Sequence, residues 1–145
     1  MTYETLGAHK TMGIGMVLHL RPKKKAPSLP ATERKAVELM GLRYVYSPVT
    51  PQFEDEEIDA FRKQMKGIDL MSGLIVHCFN SNCASGALLA YLVLDEKLTL
   101  DKALALAHKG GLTMAKIENT SRFYISRNGG PAYEEQKEIK PAPSR

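Results

Sequence analysis

The sequence predicts an α/β domain with a mainly parallel central sheet and helices on its faces. Two observations carry this. Short apolar segments rich in β-branched and aromatic residues alternate with segments of about 10 to 14 residues that place apolar side chains at helical spacing, and parallel strands need crossovers of that length. Glycine or proline punctuates most junctions.

The first strand is expected at Met16–Leu20, closed by Arg21 and Pro22. A helix from Ala31 to Met40 follows, with Ala36, Val37, Leu39 and Met40 at helix-compatible positions, Thr32 as a cap, Glu33 and Glu38 on the wet side and Gly41 as its stop. Arg43–Tyr46 reads as the second strand. The second helix is Glu54–Lys66, whose acidic first turn suits the helix dipole and whose Ile58, Phe61 and Met65 share a face. Gly73–His77 gives the third strand, and an apolar helix runs from about Ala84 to Leu94. Two further helices, Asp101–His108 and Thr113–Ser126, are separated by Gly110 and Gly111. Residues 1–127 make one domain; 128–145, with Gly129, Gly130, Pro131, Pro141 and Pro143 among charges, are expected to be a flexible tail.

The chain has 145 residues, 43% of them hydrophobic, enough for one core and too few for two full domains. The longest apolar stretches, Ile14–Leu20 and Ala87–Leu94, fall short of the roughly 20 residues of a membrane span. The N-terminus lacks the charge-then-apolar pattern of a secretory signal, which points to the cytoplasm. The net charge of +4 is spread out except at Arg21 and Lys23–Lys25, beside a proline-rich loop, and the cluster Glu54–Glu57 with Asp59 opposes a nucleic-acid face. Neither a nucleic acid nor a membrane is expected as partner.

Chemistry concentrates at Cys78. It ends a strand and precedes a loop of small or polar residues and a helix, so backbone N–H groups and the helix dipole converge where an anion would sit, and the same field lowers a thiol pKa. A cysteine at the end of a buried strand also serves as a small core residue, and physical reasoning alone leaves both readings open. The two cysteines, Cys78 and Cys83, are too close in sequence to staple distant parts of a fold. With His77 they lack a fourth ligand at recognisable spacing, so no metal is assigned.

The runs Val17-Leu18-His19-Leu20-Arg21-Pro22, Gly41-Leu42-Arg43-Tyr44-Val45-Tyr46-Ser47-Pro48-Val49 and Val76-His77-Cys78, then Gly86-Ala87-Leu88, resemble the cysteine-dependent tyrosine and dual-specificity-like phosphatases. The likeness, over roughly residues 12 to 126, is to the small bacterial group that includes the phosphatase-like domain joined to β-lactamase-fold hydrolases. It implies a Cys78 nucleophile that forms a phosphocysteine, a binding loop of Phe79, Asn80, Ser81, Asn82, Cys83, Ala84 and Ser85, and His77 as its support. It further implies a phosphorylated substrate or other oxyanion, and no cofactor. The general acid is assigned to Asp55, with Asp59 behind it, although the same run reads equally as a solvated first turn.

The chain departs from that pattern at its signature arginine. A four-residue gap after Cys78 lands on Cys83 and a five-residue gap on Ala84, so the bidentate phosphate clamp is missing in both registers. Ser81 also stands where the family has glycine, and a positive φ there would be strained. The resemblance further implies a missing first strand, with Met1–Thr11 the remnant of the helix after it, and an exposed sheet edge able to pair with a protein partner or a second copy. Three functions follow as expectations: a phosphatase of weak or lost activity, with Arg122 one candidate source of compensating charge; a non-catalytic regulatory or binding module; or thiol redox and sulfur-transfer chemistry on Cys78 and Cys83.

Overall fold

The computed structural model describes residues 15–21, 29–66, 73–78 and 81–133. The expectations for Met1–Thr11, Lys23–Lys25 and the chain after Tyr133 lie outside these residues, as do those for Phe79 and Asn80.

Three parallel strands form the sheet: β1 (Met16–His19), β2 (Arg43–Tyr46) and β3 (Leu74–His77), in the order β2-β1-β3. Between and after them run α1 (Leu29–Leu39), α2 (Asp55–Lys66), α3 (Asn82–Leu94), α4 (Leu100–Lys109) and α5 (Ala115–Arg127). This is the predicted α/β class. Among the described residues no helix is long and apolar enough to cross a membrane.

β1 is central and buried along its whole length, as a strand covered on both faces must be. Its two-residue period divides the interior. Leu18 and Leu20 join Phe61, Ile58, Leu89, Ile117 and Tyr124 in the larger core under α2, α3, α4 and α5, whereas Val17 packs with Val37, Leu42 and Tyr44 under α1. Pairing is in register, Met16 with Arg43 and Leu74, His19 with Tyr46 and His77. Side chains at one level of the three strands therefore share a face: Val76 and Cys78 look toward the larger core, Ile75 toward α1.

Helix ends differ from the sequence expectation for local reasons. α1 begins at Leu29, which places Thr32 inside the helix, and it ends at Leu39, two residues before Gly41, whose φ of 76° suits a residue without a side chain. Glu33, expected on the wet side, is instead buried at 7% exposure, while Leu39, expected among the apolar contacts, is exposed. A helix face read from one sequence cannot show a charged partner waiting on a neighbouring strand. α3 starts at Asn82, two residues before Ala84, and α5 starts after Thr113 and Met114 because both of their amides donate to Asn82 Oδ1. Asn128 to Tyr133, at the head of the expected tail, turn back on α5: Gly130 N donates to Ile125 O, and the Tyr133 ring packs edge-on against Phe123.

Candidate phosphate-binding site

Cys78 follows β3 at the carboxyl edge of the sheet, the place where open α/β sheets bind ligands. Strand pairing continues up to it, with Leu20 N donating to His77 O. Its Sγ accepts a hydrogen bond of 3.3 Å from the backbone N–H of Ala84, in the first turn of α3. An amide of a helix N-terminus thus points at the sulfur, which favours thiolate over thiol. Cys78 and Cys83 are both half-buried and are not joined in a disulfide.

Ser81 precedes α3 with φ 69° and ψ −15°, the left-handed conformation. The position where the resemblance puts glycine still needs glycine's geometry, and a serine now fills it, at a cost of about 1 kcal/mol. The next residue holds the loop in place. Asn82, 5% exposed, accepts from the amides of Thr113 and Met114 at 2.8 Å each and donates to Thr113 Oγ1 at 3.3 Å. The connector between α4 and α5 is thereby fastened to the start of α3. Ser85, also buried, continues the helix with its amide on Ser81 O. Ala84 is 6% exposed and packed in the core, so a longer side chain has no room there, whereas Cys83 is only partly covered. Of the two registers, the four-residue one leads to a position that can present a side chain.

The remaining sequence-predicted residues have partners of their own. Asp55, in the first turn of α2, is half-exposed and bound by Arg127 at 2.7 Å. Asp59 accepts a hydrogen bond from the buried Tyr124 hydroxyl. Arg122 lies over the Tyr133 ring, 4.2 Å from its centroid, with Glu118 3.9 Å away.

His77 turns to the opposite face of the sheet from Cys78, and there the structure assembles a group that the sequence reading missed. His19 and His77 are neighbours in register, and their rings stack with centroids 4.4 Å apart. Glu33 reaches down from α1 to both, Oε2 lying 2.8 Å from His19 Nδ1 and Oε1 2.7 Å from His77 Nε2. The Tyr44 hydroxyl lies 2.6 Å from His19 Nδ1. Burial pushes the Glu33 carboxyl up, but the two imidazoles outweigh it and bring its pKa down to about 2. Burial and the Glu33 charge push the Tyr44 hydroxyl well above its ordinary value. The signal was present in sequence as a histidine at the same level of two strands; it becomes legible only once their register is known.

No protein-family model matches the chain, and no curated protein matches it. Solved structures do. A candidate phosphatase (DUF442) of Shewanella putrefaciens superposes with a TM-score of 0.68 at 21% identity, covering 88% of this chain and 83% of that one. TpbA of P. aeruginosa matches with a TM-score of 0.64 at 12% identity over 88% of this chain and 75% of its own. A kinase-associated phosphatase matches with a TM-score of 0.68 at 10% identity, covering 86% and 76%, in a form whose catalytic-site cysteine is replaced by serine. The fold is that of the cysteine-dependent tyrosine and dual-specificity phosphatases. Within this phosphatase-like fold, Cys78 lies between the central sheet and the start of α3.

Proposed function

We propose that the protein binds phosphate or a related oxyanion at the Cys78 loop and hydrolyses phosphoesters weakly or not at all. The observation that carries the reading is the Ala84 amide on Cys78 Sγ, which keeps the helix N-terminus aimed at the sulfur in a loop without its arginine. Backbone donors suffice to hold an oxyanion. Turnover asks more, because charge spreads over the equatorial phosphate oxygens as the thiolate sulfur bonds to phosphorus and the ester oxygen leaves with a proton from an acid. Without a bidentate clamp that step loses about 3 to 4 kcal/mol.

A phosphorylated protein or peptide is the substrate class that fits. TpbA in a cysteine-to-serine form has been crystallised with phosphotyrosine, and the present chain shares that fold. Asp55 serves as general acid once its ion pair with Arg127 opens, His77 supports the loop, and Phe79 and Asn80 complete it. A regulatory binding role is the form of this function that requires no turnover. We place the protein in the cytoplasm, with a protein partner or a second copy at an exposed sheet edge, where the strand groups need pairing.

The test uses the full chain with p-nitrophenyl phosphate and, separately, inorganic phosphate or vanadate as protectants against alkylation of Cys78. Slow alkylation with oxyanion present, together with hydrolysis at the limit of detection and none in Cys78→Ser, is the expected result. Fast turnover, or alkylation indifferent to oxyanion, overturns the proposal.

A further inference from the structure

The face of the sheet turned away from the thiol carries a donor set that phosphate chemistry does not use. His19, Glu33 and His77 bring one ligand atom each to within 4.8 Å of one another. They are not held by chance contacts: β1 and β3 fix the two imidazoles at one level, and α1 fixes the carboxylate above them. Side-chain exposures of 0%, 7% and 28% put the set in the interior, with His77 as the side open to solvent.

The decisive detail is at Glu33 Oε1 and His77 Nε2. They lie 2.7 Å apart and form an ion pair without a well-aligned hydrogen bond. Both atoms are shut off from solvent and have no hydrogen-bond partner among the described residues. Buried polar groups are almost always satisfied, and an orphaned carboxylate oxygen is among the costlier exceptions. The two atoms meet each other through charge, and with His19 Nδ1 they stand close enough together for one ion to meet all three. On the other oxygen, Glu33 Oε2 meets His19 Nδ1 at 2.8 Å, with the Tyr44 hydroxyl 2.6 Å from the same nitrogen.

We infer that His19, Glu33 and His77 bind a divalent transition metal of the zinc class, between the sheet and α1. Two imidazoles and one carboxylate are a zinc ligand set, and zinc takes nitrogen at about 2.0 to 2.1 Å and carboxylate oxygen at about 2.0 to 2.2 Å. Two such ligands of one ion stand about 3.0 to 3.4 Å apart, so the pairs seen here need to part by only a few tenths of an ångström. Tyr44, whose hydroxyl lies 2.6 Å from the same His19 nitrogen, is placed as fourth donor. The ion neutralises the buried carboxylate and ties α1 to β1 and β3. Its role is structural, because the sheet separates it from Cys78, and it stands whether or not Cys78 turns over.

The experiment uses Zn2+ as the probe on the full chain after chelator treatment. We expect one zinc per chain, a rise in melting temperature of about 5 °C or more at saturation, and an X-ray absorption first shell of nitrogen and oxygen only. The double variant Cys78→Ser, Cys83→Ser should bind zinc as well as the unaltered chain, whereas Glu33→Gln should weaken it at least tenfold. Sulfur at about 2.3 Å, or loss of binding in the double serine variant, would show that the thiols hold the ion and overturn the inference. Failure to retain zinc at micromolar concentration overturns it as well. If Glu33→Gln does not fold, the absorption spectrum of the unaltered chain decides.

Discussion

The Cys78 loop and the Arg62–Asp95 contact lie at opposite ends of α3, and they treat charge in opposite ways. Arg62 grips Asp95 with both arms of its fork, Nε to Oδ2 at 2.7 Å and Nη2 to Oδ1 at 3.1 Å, while Nη1 donates to Tyr124 at 3.0 Å and Lys66 adds a third cation contact at 3.1 Å. Three helices, α2, α3 and α5, meet there. The geometry that phosphatase chemistry wants at the thiol is thus spent on a protein carboxylate. At the loop, by contrast, neutral groups meet: Asn82 reaches across to the α4–α5 connector, and the Ala84 amide meets the sulfur. The loop is braced from outside, so removing an arginine from inside it need not collapse it.

Supplying the missing fork to the loop should give the largest effect. Cys83→Arg is expected to raise aryl phosphate hydrolysis about a hundredfold to a thousandfold, read as kcat/KM. Ala84→Arg should instead lower the melting temperature without a gain in rate, since that side chain is in the core. Equal rates from both would erase the difference between the two ends of α3. Removing the fork's partner comes next. Asp95→Ala leaves Arg62, 18% exposed, without its carboxylate and should cost about 3 kcal/mol, seen in urea unfolding; Cys78→Ser should change stability by less than about 1 kcal/mol.

Acid sharpens the same contrast. Burial raises the Asp95 carboxyl, but hydrogen bonds and charge from Arg62 and Lys66 prevail and hold it below its ordinary 3.8. A carboxyl depressed in the folded state contributes stability that is whole above 3.8 and is lost as pH falls through its folded value. Unfolding free energy should therefore drop on acidification below about pH 4, and Asp95→Asn should flatten part of that slope. The smallest effect belongs to the loop. Ser81→Gly removes the left-handed strain and should stabilise by about 0.5 to 1 kcal/mol, or a few degrees in melting temperature.

Much of this was legible from the chain alone. Met16-Val17-Leu18-His19 and Leu74-Ile75-Val76-His77 announce strands by composition, the helix over Ala84–Leu94 was marked by its apolar run, and Glu54–Lys66 by spacing and an acidic first turn. The position of Cys78 followed from strand, loop and helix in succession. What stayed hidden depends on pairing between distant segments. Glu33 looked solvated because its own helix shows only a charge; the histidines that receive it sit on two strands whose register no local pattern states. Asn82 looked like one polar loop residue among several, and its grip on Thr113 and Met114 spans more than 30 residues. Arg62 and Asp95 are 33 apart, and neither stands out from the other surface charges in sequence.

The left-handed turn at Ser81 has a counterpart in the connector that braces it. Gly111 has φ 114°, and a β-carbon built there would come within 2.8 Å of Ser81 Cβ. The two backbones meet so closely that only one of them can carry a side-chain carbon at that point. The loop has accepted a serine where the phosphatase pattern has glycine, and the connector, thirty positions on, supplies the bare residue in its stead. Residues 81 and 111 therefore form a single steric compartment with room for one substituent. Gly111→Ala should be harsher in the native background than beside Ser81→Gly.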